Sequence, residues 1–287
     1  MKIIRQIVLA AGLVLCASTS FAVHNLKQPA GLAVDSGGNL YVANYGLNEI
    51  LIYSPNYVQL VSRTITQNIS GPEDVAFDPY GNLWVANFIG NSNGDGGYIT
   101  EYTAGVQNTG ATINNGIAGP LYLSFDGLNN LWVLNNGINI TIYDPTGALL
   151  PPSNLVRTLS TNAKVFKVSA GSVVSGTRNK TDIDSSSLVF QGTAAIGSED
   201  YFTPATGSTA IAPDSSGNTY ACDPTGDVRI LDGNGNLTFF VSLGFAARGM
   251  AVDNRNKRLY ASNESGQEIV VYSTTTGELL TTIGNPQ

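Results

Sequence analysis

The side chains that most often carry chemistry are thinly spread in this chain. It has one histidine, His24, and two cysteines, Cys16 and Cys222, among 287 residues. A zinc or iron centre built from several His or Cys ligands cannot be assembled from that stock. A Ser-His-Asp relay would need His24, and nothing in the order of residues sets a nucleophile beside it, so no catalytic residue is assigned. Carboxylate, amide and guanidinium chemistry remains. Glu73, Asn44, Asn87, Asn135, Asp223 and Asn263 offer oxygen acceptors, and Arg248 offers a planar donor fork. Asp95 lies in the Gly- and Asn-rich run from Phe88 to Tyr98. With Asn91 and Asn93 it could present oxygens to Ca²⁺, but one carboxylate is too few for a tight site. The expectation there is a flexible loop tip, with no bound cofactor and no metal.

These residues are ordered by a repeat. The stretch Gly31-Leu32-Ala33-Val34-Asp35-Ser36-Gly37-Gly38-Asn39-Leu40-Tyr41-Val42-Ala43-Asn44 reads as strand, tight turn, strand, and it recurs around Asp78, Asp126, Asp214 and Asp253. The steps between those Asp residues are 43, 48, 88 and 39 residues, so one copy is missing or eroded between Asp126 and Asp214. A period of about 40–50 residues with several short strands per unit is the signature of a β-propeller. The reading is a single all-β domain over 23–287, a six-bladed propeller with four antiparallel strands per blade and a degenerate fourth blade. The blades fall at about 23–66, 67–113, 114–160, 161–205, 206–244 and 245–287. Five blades with an insertion at 149–207 is the alternative. In the first unit the strands are 31–35, 40–44, 49–53 and 57–65, on alternation and β-branched or aromatic content. In the eroded unit, 164–168, 173–175 and 187–191 are the strand candidates.

Two recurring positions have structural explanations. The Asp of each turn can accept backbone N–H groups across it, and the Gly or Asn near its end tolerates positive φ. Each second strand carries one aromatic at the same place, Tyr41, Trp84, Trp132, Tyr220 and Tyr260, as packing between neighbouring blades requires. Cys222 falls in the register of Ala43 and Ala86, a slot for small buried side chains, which predicts an inert thiol.

Composition bounds the partners. A net charge of −7 argues against nucleic acid, which selects a basic face. Residues 1–22 read as a signal peptide. Lys2 and Arg5 precede a short apolar run, and Ser20-Phe21-Ala22 places small residues for cleavage before Val23. The run is shorter than the ~20 residues of a membrane span, and an uncleaved anchor is the alternative. The expected product is exported, periplasmic or secreted, with no membrane span after cleavage, and monomeric.

The chain resembles the NHL-repeat family of six-bladed propellers through the five copies above. It departs from that pattern in having Asn44, Asn87, Asn135 and Asn263 where Asp is common, and only Asp223 keeps the acid. Propeller topology puts the ends of the second strands and the connections between blades on one face, the usual ligand face. The channel-mouth candidates are therefore Glu73, Asn44, Asn87, Asn135, Asp223, Asn263, Arg248 and, on the long loop, Asp95, with His24 and Tyr122 in the connections. The expected function is a non-enzymatic binding or scaffold module for a protein, peptide or glycan. The alternative is a divalent-cation-dependent lactonase or esterase of the gluconolactonase type. Propellers of that type hold the cation with Glu, Asn and Asp side chains, a set that Glu73, Asn87, Asn135 and Asp223 could supply, but the chain lacks that family's local motifs. Streptogramin-lyase propellers rely on His and fit a chain with one such residue poorly.

Overall fold

The computed structural model describes residues 25–89, 96–103, 106–125, 129–136, 140–144, 165–169, 172–176, 209–232 and 236–284. Residues 1–22, His24 and Asp95 lie outside them.

Every sheet is an antiparallel meander. The first blade pairs β1 (Pro29–Val34), β2 (Leu40–Asn44) and β3 (Glu49–Tyr53). The second pairs β4 (Pro72–Phe77), β5 (Leu83–Asn87), β6 (Tyr98–Thr103) and β7 (Val106–Ile113). The third has β8 (Pro120–Phe125), β9 (Leu131–Asn135) and β10 (Ile140–Tyr143). A two-stranded ladder of β11 (Val165–Ser169) and β12 (Ser172–Gly176) follows. Then come β13 (Ala210–Pro213), β14 (Thr219–Cys222), β15 (Asp227–Leu231) and β16 (Leu237–Ser242). The last blade is β17 (Met250–Asp253), β18 (Arg258–Asn263), β19 (Glu268–Ser273) and β20 (Leu279–Gly284).

The innermost strands run round a ring. β1 lies beside β4, β4 beside β8, β8 beside β11, β11 beside β13, β13 beside β17, and β17 beside β1. The fold is a β-propeller, but the expectation of six four-stranded blades is corrected. The described residues form five blades of three or four strands, and the slot between the third and the next holds only the β11–β12 ladder. The stretch around that ladder lacks the Asp turn and the aromatic second strand that build the others. The candidate strand at 187–191 lies outside the described residues.

The first blade also departs from its expected outer strand over 57–65. Only two isolated bridges form there, Tyr53 with Gln59 and Ile50 with Ile65, separated by a 3₁₀ turn at Val61–Arg63. Tyr57 sits at φ 63°, a left-handed conformation that a regular strand does not contain.

The turn chemistry is as the residues suggest. Asp35 Oδ1 accepts the N–H groups of Gly37 and Asn39, and Oδ2 accepts from Asn39 Nδ2 at 2.8 Å. Asp78 and Asp214 repeat the pattern with Asn82 and Asn218. Gly38, Gly81 and Gly217 close these turns at φ of 84°, 87° and 85°, where a side chain would be strained. All five second-strand aromatics are buried, and those of neighbouring blades meet inner-strand rings edge to face. Tyr41 packs on Phe77 and Trp84 on Phe125.

Among the described residues the ring closes by packing, and no strand from the N-terminal side pairs with the last blade. β20 completes the last blade from its own chain. Leu26, buried, packs with Ile269 and Ile283 of that blade and with Val42 and Leu51 of the first. Ser262 Oγ donates to Ala30 O at 2.8 Å across the seam. Among the described residues no helix is long and apolar enough to cross a membrane.

Candidate functional site

Asn44, Asn87, Asn135 and Asn263 end the second strands of four blades. All four are buried, and their hydrogen bonds are spent inside the fold. In the first three blades the inner strand begins with Pro29, Pro72 or Pro120, paired opposite Asn44, Asn87 or Asn135. Each amide then braces the connection leading into that strand. Asn44 Oδ1 accepts Lys27 N–H at 2.7 Å, and its Nδ2 donates to Asn25 O and to Glu49 Oε1. Asn87 Oδ1 accepts Ser70 N–H at 2.9 Å, and Nδ2 donates to Thr100 Oγ1 at 3.0 Å. Asn135 Oδ1 accepts Ala118 N–H at 3.0 Å, and Nδ2 donates to Thr141 Oγ1 at 3.1 Å. Asn263 instead caps its own turn through Gly266 N–H and donates to Glu268 Oε1. An amide both accepts and donates, which suits Asn44 and Asn263, whose second partners are the carboxylates of Glu49 and Glu268; the hydroxyls of Thr100 and Thr141 could serve an acid as well.

Asp223, where the series has an acid, meets donors only. Its Oδ1 accepts from Thr225 N–H and Oγ1, and Oδ2 from Arg229 Nη1 at 2.8 Å. Burial alone would raise its carboxyl, but the bonds from Thr225, Arg229 and Asp227 outweigh it and hold it below the ordinary carboxylate range. The neighbouring Cys222 is buried, and desolvation pushes its thiol up, as an unreactive thiol requires.

Glu73 and Arg248 meet, although 175 residues separate them. The register slips between Pro72 and Asp74, which leaves Glu73 as the extra residue of a β-bulge and re-aims it. Its carboxylate receives Arg248 Nη2 on both oxygens, at 2.6 and 2.7 Å. Arg248 Nη1 donates to Glu264, and the guanidinium lies 5.0 Å from the centre of the Tyr45 ring. Burial would lower the guanidinium, but Glu73 and Glu264 more than offset it and keep it above its ordinary value. Asp74 Oδ2 accepts Leu123 N–H at 3.0 Å, and a Cβ on Gly31 would lie 2.2 Å from Asp74 Oδ1. The inner strands therefore touch at this mouth, and the space left among Asp74, Tyr122 and Arg248 is about 10 Å³.

A cation held by Glu73, Asn87, Asn135 and Asp223 does not fit these residues. Glu73 is bidentate to Arg248, Asp223 is paired with Arg229, and both amides are committed within their blades. Among the described residues no three His, Cys, Asp or Glu side chains group as a metal set would.

The opposite face is built from the other ends of the same strands. There Leu32, Val75, Phe77, Leu123, Phe125, Pro213 and Val252 line an open recess of about 230 Å³ in the channel. Phe77 also lines a groove of about 430 Å³ between the first two blades, with Asp35, Tyr41, Arg63, Asp78 and Tyr80. None of these was singled out as a site residue. One signal was available. Tyr80 occupies the turn position held by Gly37, Leu128, Ser216 and Arg255 in the other copies, and it is the one aromatic among them. It is 80% exposed, so it has no packing role.

The sequence matches the NHL repeat over residues 26–53, the first blade from its entry through β3. Among curated proteins, none matches it. Solved structures share the fold. A streptogramin B lyase superposes with a TM-score of 0.54 at 12% identity, over 93% of this chain and 86% of that one. A protein of unknown function from Bacteroides thetaiotaomicron gives 0.61 at 13% identity, over 88% and 70%. Hydrazine synthase of Kuenenia stuttgartiensis gives 0.54 at 14% identity, over 86% and 84%. At these identities the likeness is one of fold.

Proposed function

We propose that this NHL-repeat propeller is an exported, non-enzymatic module that binds a protein, peptide or glycan. One observation carries the reading. The polar side chains at the expected ligand mouth are consumed by bonds to one another, with Glu73 bidentate to Arg248 and the buried amides bracing the blade connections. A general base or a nucleophile must be free to take a proton or attack, and a carboxylate held on both oxygens by a buried guanidinium is neither. Rigid scaffolds of this kind serve binding by presenting loops and grooves at fixed positions.

Two measurements test the proposal. Calorimetric titration of the purified protein with Ca²⁺, paired with a lactone-hydrolysis assay, should give no saturable heat and no turnover above the uncatalysed rate. Ca²⁺-dependent turnover that Glu73→Gln abolishes would overturn it. For export, mass spectrometry of the protein from the extracellular or periplasmic fraction should place its first residue at Val23. An intact N-terminus in the membrane fraction would contradict that part.

A further inference from the structure

We infer that the groove between the first two blades holds a neutral pyranose residue of a glycan, stacked on Tyr80 and hydrogen-bonded by Arg63. The inference rests on the binding-module reading and narrows it to a ligand class and a place.

The groove exists because the first blade lacks a regular outer strand. The 3₁₀ turn Val61–Arg63 stands in for it and sets Arg63 against the gap. At about 430 Å³ the groove falls within the range of roughly 300–1,000 Å³ usual for small-ligand sites. Its lining is apolar at Val34, Ile65, Phe77 and Leu83, with polar groups at the sides.

The polar groups select the ligand. Asp78 is saturated: Oδ1 accepts the N–H groups of Tyr80 and Asn82, and Oδ2 accepts from Asn82 Nδ2 and Trp84 Nε1. Asp35 is held by Gly37 N–H and Asn39 N–H on Oδ1 and by Asn39 Nδ2 on Oδ2. A carboxylate offers about four lone-pair sites, so Asp78 has none left for a cation and Asp35 has about one, too few for a site. Two carboxylates share the groove with Arg63, which disfavours an anionic ligand. Arg63 spends one donor, Nη2 to the Tyr41 hydroxyl at 2.5 Å, and the residue lines the groove with its other donors unspent. An exposed aromatic platform, an apolar floor and free donors with no net demand for charge suit one kind of molecule. A pyranose has a C–H face that packs on an aromatic ring and hydroxyl oxygens at its edge that accept from a guanidinium.

The test is calorimetric titration of the purified protein with maltotriose, cellotriose and chitotriose, with Trp84 fluorescence as a second readout because its indole N–H bonds Asp78. At least one sugar should bind saturably. Tyr80→Ala should weaken it tenfold or more with an unchanged melting temperature, and Arg63→Met should weaken it several-fold. Phe239→Ser, an exposed aromatic on another blade, should leave it unchanged. Absence of binding by all three sugars, or binding that survives Tyr80→Ala, would overturn the inference. A tyrosine-containing peptide that binds in place of the sugars and is lost in Tyr80→Ala would overturn the sugar assignment while the binding-module reading stands. Ca²⁺-dependent turnover would remove that reading instead.

Discussion

At one mouth of the channel Arg248, Asp74 and Tyr122 bound a space of about 10 Å³; at the other, Phe77, Phe125 and Val252 help to line an open recess of about 230 Å³. The same inner strands build both ends. At their starts a bulge, close contacts at Gly31 and Asp74, and a bidentate ion pair draw the blades together. At their ends apolar side chains face the channel and the turns beyond them leave a groove. The difference teaches that polar residues concentrated on one face of a propeller can be the lock that holds the ring, while room for a ligand lies on the face that looks plainer in sequence.

If that comparison holds, substitutions at the first mouth should cost stability, and substitutions at the groove should cost binding alone. The largest effect is expected for Arg248→Met. It leaves the buried Glu73 carboxylate unpaired, which costs about 3–5 kcal/mol, read as a fall in the urea midpoint. Asn135→Ala comes next. It strands the Ala118 N–H and the Thr141 hydroxyl, at about 1–3 kcal/mol by the same measurement. A smaller loss, about 1 kcal/mol or less, is expected for Asp223→Asn, whose partner Arg229 is partly exposed. That loss depends on pH in a definite direction. Asp223 is held below the ordinary carboxyl value of about 3.9, so it stabilises the fold above that pH. The contribution disappears as pH falls through the depressed value. Thermal melts of the two proteins should differ at pH 6 and converge in strong acid. The smallest stability effect, within about 0.5 kcal/mol, belongs to Tyr80→Ala at the groove, where nothing packs on the ring. A large loss there would erase the contrast between the faces.

The repeat could be read from the chain because each copy carries its own local instructions. Asp35 with Asn39, Asp78 with Asn82, and Asp214 with Asn218 specify turns within five residues, and Tyr41 or Trp84 marks the buried side of the next strand. The Asn ring was visible as a register position. Its role was not, because the partner N–H groups of Lys27, Ser70 and Ala118 lie 17 residues upstream in an irregular connection. The pairing of Glu73 with Arg248 depends on ring closure and on a bulge, and neither has a local signature. The groove was hidden for a related reason. It results from the outer strand that the first blade fails to complete around Tyr57 and Val61–Arg63, where alternation alone suggested a regular strand. The fourth ring slot shows the opposite limit: spacing left room for a blade, but the local instructions were missing, and only a two-stranded ladder fills it among the described residues.

The lock itself is tested most directly by a double-mutant cycle on Arg248→Met and Glu73→Gln, measured by urea unfolding. If the pair holds the mouth closed, each single change is strongly destabilising. The double variant is then no worse than the worse single one, giving a coupling energy of at least about 1–3 kcal/mol. Singles that each cost less than about 0.5 kcal/mol and simply add would contradict the account. They would return Glu73 and Arg248 to the ligand-binding face that the sequence suggested for them.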